Sequence, residues 1–186
     1  MSAIYILWLR QLKRHFRSKP RMLGSIAQPL LFLLTLGFGL SPIYRKAGEG
    51  SYIQFLAPGV IAMAILFSGI FSGIEIIWDK QFGFLKETLV APVSRLQIMT
   101  GRTLGGATVA MMQGGIVLII SYGVGFRPVF GRWFPMTFVF MLLMSLLITA
   151  LGTGIASVLD DIQGFQLIMN FLVMPIFFLS SALFPL

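Results

Sequence analysis

Glu75 is the side chain of this sequence with the strongest claim to chemistry, because it is the one carboxylate that can be placed inside a long apolar stretch. An acid held within a bilayer is by default a suspect for a proton or ion pathway. Its neighbours argue for a different role. Trp78, Asp79 and Lys80 follow at once, so Glu75 sits at an end of its apolar run. There it can reach water, or pair with Lys80 or with a basic residue of the polar stretch that follows. This favours structural or coupling duty over proton relay. Other chemistry is sparse. His15 is the only histidine and lies in a basic N-terminal stretch, cysteine is absent, and no HExxH, GxSxG or GxxxxGK[ST] motif occurs. The chain therefore carries no catalytic constellation, no metal set, and no phosphate loop with which to bind a nucleotide itself.

The elements around Glu75 follow from composition. Of 186 residues, 57% are hydrophobic and 11% charged, with a mean hydropathy of +0.91; ordinary soluble domains carry roughly 25% charge. Five runs contain no Asp, Glu, Lys or Arg: Met22–Tyr44, Gly50–Ile74, Thr103–Phe126, Trp133–Leu159 and Ile162–Leu186. Each reaches the roughly 20 residues that a helix needs to cross a hydrocarbon core of about 30 Å. None shows the alternation of a barrel strand, so backbone polar groups must be satisfied inside helices. The expected fold is all-α and polytopic, a single transmembrane unit over residues 1–186. Its five spans lie at about 22–44, 52–76, 103–125, 135–158 and 163–184, with a polar loop over 79–102. No room is left for a soluble catalytic domain. The N-terminus lacks the pattern of a cleaved signal, so Met1–Arg21 is expected to remain.

Charge sets the orientation. Arg10, Lys13, Arg14, Arg17, Lys19 and Arg21 precede the first run, and Lys80, Lys86, Arg95 and Arg102 separate the second from the third. The alternate loops hold only Arg45 with Lys46, and Arg127 with Arg132. Cations gather in cytoplasmic loops, so the N-terminus and the 79–102 loop are expected to be cytoplasmic. The formal net charge of +8 needs no nucleic acid to explain it. Before the first run, Ile4, Leu7, Trp8, Leu12 and Phe16 share one helical face, with Arg10, Lys13, Arg14 and Arg17 opposite. This predicts a helix in the membrane interface, anchored to anionic lipid head groups by its cations and Trp8.

Further signals lie within the runs. Gly69 with Gly73, Gly101 with Gly105, and Gly114 beside Gly115 have spacings that let helix backbones touch. Gln28, Gln113 and Asn170 are strongly polar candidates there and are expected to pack between helices. Pro175 should kink or break the last span. In the polar stretch, Phe82, Leu85 and Leu89 fall on one helical face, Lys86 and Glu87 turn away, and Pro92 biases Ala91 out of helix. A short amphipathic helix of about two turns is expected there, lying across the membrane surface. Periodicity alone does not distinguish a force-transmitting bar from a plain connector.

The residues themselves add to this. FLAPGVIAMAIL (Phe55–Leu66) followed by IIWDKQFGFLKETLVAPVSRLQIMTGR (Ile76–Arg102) resembles the membrane subunit of type-2 ATP-binding-cassette exporters, in the drug-resistance, nodulation-factor and polysaccharide-export branch. The resemblance runs from the basic N-terminal helix to the SSALFPL ending. Asp79, Lys80, Gly83, Leu85, Glu87, Leu89, Pro92, Val93, Ser94 and Arg95 carry its loop motif. It implies a coupling helix, formed by Phe84, Leu85, Lys86, Glu87, Thr88, Leu89, Pro92, Val93, Ser94 and Arg95, that docks on a separate ATPase subunit. That subunit would bind ATP and magnesium; this chain would bind no cofactor. The resemblance also implies pairing with a second permease copy, in a homodimer or heterodimer, in the plasma membrane. The cargo would be an amphipathic drug, a lipid-linked molecule or a polysaccharide, exported along a route near spans one, two and five. Phe165, Asn170, Phe171 and Phe177 are the candidates to line that route. The family has six spans, so the chain is expected to be a C-terminally truncated product or fragment. Two rivals are an ion-coupled transporter or channel using Glu75, and a membrane scaffold that moves nothing.

Overall fold

The computed structural model describes residues 3–46, 51–83, 93–128, 131 and 134–180, with the side chains of 20, 21, 43–46, 177 and 178 outside that description. The described residues form six helices: α1 (Ala3–Arg17), α2 (Lys19–Lys46), α3 (Tyr52–Gln81), α4 (Arg95–Val124), α5 (Phe134–Val158) and α6 (Ile162–Leu179). Among them there are no strands.

Four helices are long and apolar enough to cross a membrane, through Met22–Pro42, Tyr52–Gln81, Arg95–Val124 and Phe134–Val158. The expected fifth span corresponds to α6, whose described apolar stretch, Ile162–Ile176, is shorter. Pro175 does not end α6, which continues to Leu179.

Helices α3 and α4 run beyond the apolar stretches that announced them. Each has 30 residues, about 45 Å at 1.5 Å per residue, against a core of about 30 Å. Each therefore exceeds the hydrocarbon layer by up to about three turns. The polar stretch 79–102 is accordingly helical at both ends. Asp79 to Gln81 finish α3 and Arg95 to Arg102 begin α4. Phe82, expected to open the amphipathic helix, instead caps α3, and Gly83 turns the chain with φ of +76°. Ser94 opens α4 as its N-cap, its hydroxyl accepting from Gln97 N at 3.3 Å. The rest of the expected bar, Phe84 to Pro92, lies outside the described residues.

Helix α3 is the axis of the bundle, packed against α2, α4, α5 and α6. Its apolar side chains divide between two cores. One gathers Leu56, Val60 and Ile65 with Leu33 of α2, Val117 of α4 and Met141 of α5. The other gathers Ile70, Ile74 and Ile77 with Ala156 of α5 and Phe165 of α6. Small residues bring the backbones together, as their spacing suggested. A Cβ added at Gly73 would lie 2.5 Å from Gly152 O of α5 and 2.8 Å from Phe165 Cζ, and one at Gly69 would meet Thr149. Gly101 and Gly105 serve a different partner. Gly101 faces Ile4 and Leu7 of α1, and Gly105 faces Trp8 and Gln11.

Candidate functional site

The most polar part of the bundle is where the N-terminal helix meets the ends of α3 and α4. Sequence reading set the cations of α1 towards lipid head groups, but part of that face turns inward. The glycine track on α4 draws α1 close, and Trp8 Nε1 donates to Thr108 Oγ1 at 3.0 Å. This rotation presents Arg10, Gln11 and Arg14 to α3.

On α3 the acids stand one turn apart, and on α1 the arginines do likewise. Glu75 and Asp79 are at i and i+4, as are Arg10 and Arg14, so each pair occupies one helix face. Arg10 Nη1 donates to Asp79 Oδ2 at 3.2 Å, and Arg14 Nη1 to Asp79 Oδ1 at 3.3 Å. From the other side, Nη2 of Arg102 on α4 lies 2.8 Å from Asp79 Oδ2. That contact is close but poorly aligned for a hydrogen bond, and Arg102 Nε has no hydrogen-bond partner among the described residues. Asp79 and Arg102 are 6% and 4% exposed, so the charge of each is compensated by protein rather than by water. Asp79 thus ties three helices together at one carboxylate.

Glu75, one turn deeper, accepts a hydrogen bond from Gln11 Nε2 and lies 3.9 Å from Arg14 Nη1. The partners expected for it were Lys80 or a basic residue of the following loop. Lys80 points elsewhere. Its Nζ donates to Ser157 O at 2.6 Å, Leu159 O at 3.0 Å and Asp160 Oδ1 at 3.1 Å, closing the C-terminus of α5 as a cation should. Asp161 then caps α6, accepting from Gln163 N and Gly164 N.

The other expected site residues are dispersed. Val93 precedes the Ser94 cap, and Ser94 and Arg95 are exposed at the start of α4. Phe84, Leu85, Lys86, Glu87, Thr88, Leu89 and Pro92 lie outside the described residues. Of the residues proposed to line a cargo route, Phe165 is wholly buried beside Gly73. Asn170 and Phe171 are exposed on α6, and the side chain of Phe177 is not described. Gln113 does pack between helices, its Nε2 donating to Ser25 Oγ of α2.

Sequence reading missed the Asp79 cluster. The matched i, i+4 pairs on two helices were the available signal. It also missed a cavity of about 400 Å³ beside Glu75, bounded by α1, α2, α3, α4 and α6, into which Gln11, Gln28, Gln113 and Gln166 project. Among the described residues no group of three or more His, Cys, Asp or Glu is placed to hold a metal ion.

The described residues thus combine long apolar helices with a basic N-terminal helix clamped to the polar ends of α3 and α4. No solved structure matches the chain. It is similar to the putative transport permease ycf38 of Cyanophora paradoxa, 26% identical over all of this chain and 65% of that protein. The same-named protein of Pyropia yezoensis is 28% identical, again over all of this chain and 65% of the relative. Nodulation protein J of Rhizobium leguminosarum bv. trifolii is 27% identical over 88% of this chain and 63% of its own length. The chain thus spans about two thirds of the length of these relatives. A family model described as ABC-2 type transporter matches residues 2–186, and the chain belongs to that family.

Proposed function

We propose that the chain is the membrane-spanning permease subunit of an ATP-driven exporter, working with a separate ATPase subunit and a second permease copy. It would sit in the plasma membrane with α1 on the cytoplasmic side. ATP and magnesium would be held by the partner subunit, which would dock on Phe84 to Arg95. The cargo would be amphipathic, either a drug, a lipid-linked molecule or a polysaccharide.

The observation that carries this reading is the clamp on Asp79. The stems of the connection between α3 and α4 are joined through the Asp79–Arg102 pair, and both are bound to α1. A push on the connection would therefore move α1, α3 and α4 as one body rather than bend a loose loop. That is what conversion of an ATPase cycle into a rocking of spans requires. The same clamp weakens the ion-pathway rival. Glu75 is bonded to Gln11 and lies near Arg14, one turn before Asp79 at the end of α3.

The test is coupling. Leu85→Asp or Glu87→Arg should leave insertion intact, weaken capture of the ATPase subunit, and remove the stimulation of its hydrolysis by the permease. Equal capture and equal stimulation by these variants would remove the coupling role. A proton-gradient-dependent flux through the chain alone would favour the Glu75 transporter instead.

A further inference from the structure

Asp79 and Lys80 are adjacent in the last turn of α3 but serve different neighbours. Asp79 is bound to α1 and α4, whereas Lys80 reaches the turn between α5 and α6. An ammonium has three donors, and those of Lys80 find three acceptors there: Ser157 O at 2.6 Å, Leu159 O at 3.0 Å and Asp160 Oδ1 at 3.1 Å. Gln81 Nε2 adds a bond to Asp160 O at 3.2 Å. We infer that Lys80 is a positioning residue: from the end of α3 it fixes where α6 begins, and so places the α6 wall of the cavity beside Glu75. The local role stands by itself; its part in an export cycle rests on the permease reading.

The connection that Lys80 holds is short. Leu159, Asp160 and Asp161 alone separate α5 from α6, so bonds to the first two leave the start of α6 little freedom. Asp161 carries the restraint onward by capping α6 through Gln163 N and Gly164 N. Ile162 and Gln166, in the turns that follow, line the cavity together with Phe71, Ile74 and Trp78 of α3. Beyond that point α6 is held along one line. Its buried side chains, among those described, are Phe165, Met169 and Val173, which recur at every fourth position and form a single stripe. Phe165 seats against Gly73, where an added Cβ would lie 2.8 Å from its Cζ. A helix packed along so narrow a stripe can rock about it, so the place of its first turn depends on what holds the α5–α6 turn. The ion pair is the lesser part of that hold, because the Asp160 side chain is 88% exposed and exposed pairs contribute little. The carbonyls are the greater part. Ser157 O is among the last four of α5, which lack partners within the helix.

The test reads the position of α6 directly. Because the chain has no cysteine, Ile162→Cys places a single reporter at a half-buried residue of the cavity wall. In lipid nanodiscs, with no ATPase present, its rate of reaction with a water-soluble maleimide should rise about five- to tenfold when Lys80→Met is added, the effect of losing a charged hydrogen-bond donor. Lys80→Arg, which keeps the charge and the donors, should bring the rate back to within about twofold of the parent. Gln81→Ala, a milder change at an exposed residue, should raise it about two- to threefold and keeps the test open if Lys80→Met does not fold. In a separate preparation, disulfide formation between Leu7→Cys and Gly101→Cys should be as efficient with Lys80→Met as without it, which shows that the change is local to α6. Equal labelling in the parent, Lys80→Met and Gln81→Ala would leave Lys80 a plain cap of α5 and overturn the proposal, as would a rate that Lys80→Arg fails to lower. With the purified ATPase subunit bound, ATP should alter the Ile162→Cys rate in the parent and not in Lys80→Met. No ATP effect, or one that persists in Lys80→Met, would overturn the part of Lys80 in the cycle. Failure to capture any ATPase subunit would instead remove the permease reading and leave the positioning role standing.

Discussion

Replacing Asp79 by Asn should destabilise the protein by about 3–5 kcal/mol, the cost of leaving a buried charge without its partner. The magnitude rests on Arg102, whose side chain is 4% exposed and whose nearest carboxylate oxygen is Asp79 Oδ2 at 2.8 Å. With charge centres about 4 Å apart and an effective dielectric of about 20, the attraction is roughly 4 kcal/mol. Arg10 and Arg14 contribute less, because at 31% and 30% side-chain exposure they can turn to water when the acid is gone. Arg102, at 4% exposure, has no such access to water. The assay is reversible unfolding in mixed micelles, titrated with denaturing detergent, on a double-mutant cycle of Asp79→Asn and Arg102→Gln. The two single changes should each be costly, and the double variant should recover most of one of them. A coupling energy below about 1 kcal/mol would mean that the pair is solvated in the membrane, as exposed pairs are, and would remove the clamp.

Gly73→Ala should cost about 1–3 kcal/mol in the same assay, because the new methyl meets the backbone of Gly152 at 2.5 Å and backbone cannot step aside. Gly154→Ala, with nothing within 4 Å, should be neutral or stabilise by up to about 1 kcal/mol. Since the chain has no cysteine, Leu7→Cys combined with Gly101→Cys should form an intramolecular disulfide under mild oxidation, read as a mobility shift reversed by reductant. Failure to cross-link would place α1 away from α4. Glu75→Gln keeps a partner for Gln11 and loses the 3.9 Å charge contact with Arg14, so export should persist within a fewfold. Abolished export together with a lost proton dependence would restore Glu75 as a relay.

Helix identity was legible because membrane helices are announced by what they exclude, and the uncharged runs identified the segments of α2 to α5. Helix ends were not legible in that way. A charge terminates an apolar run without terminating a helix, so α4 was expected from Thr103 and begins at Arg95, and the Asp79–Arg102 stretch read as one loop. The last run was long enough on paper to span, yet the apolar stretch described in α6 is shorter than the other four. The glycine spacings at 69/73 and 101/105 did report close contacts, but spacing carries no address. Nothing in Gly101-x-x-x-Gly105 says that the partner is α1 rather than another span. The same limit applied to the acids. Glu75 attracted attention because of the greasy sequence before it, whereas Asp79, lost among polar neighbours, is the residue on which three arginines converge.

That convergence bears on what α1 is for. A helix held to the bilayer only by snorkelling cations could slide or tilt independently of the spans. Here the attachment is specific, through a glycine track at Gly101 and Gly105, the Trp8–Thr108 bond and the two carboxylates of α3. Breaking it would strand Asp79 and Arg102 in a region that water reaches poorly. Two of the cavity's polar walls, Gln11 and Glu75, belong to the same attachment. Any motion that parts α1 from α3 must therefore alter the cavity as well. On this geometry Arg102, Asp79, Arg14, Glu75 and Gln11 form a short chain of contacts from the first turns of α4 to the cavity wall.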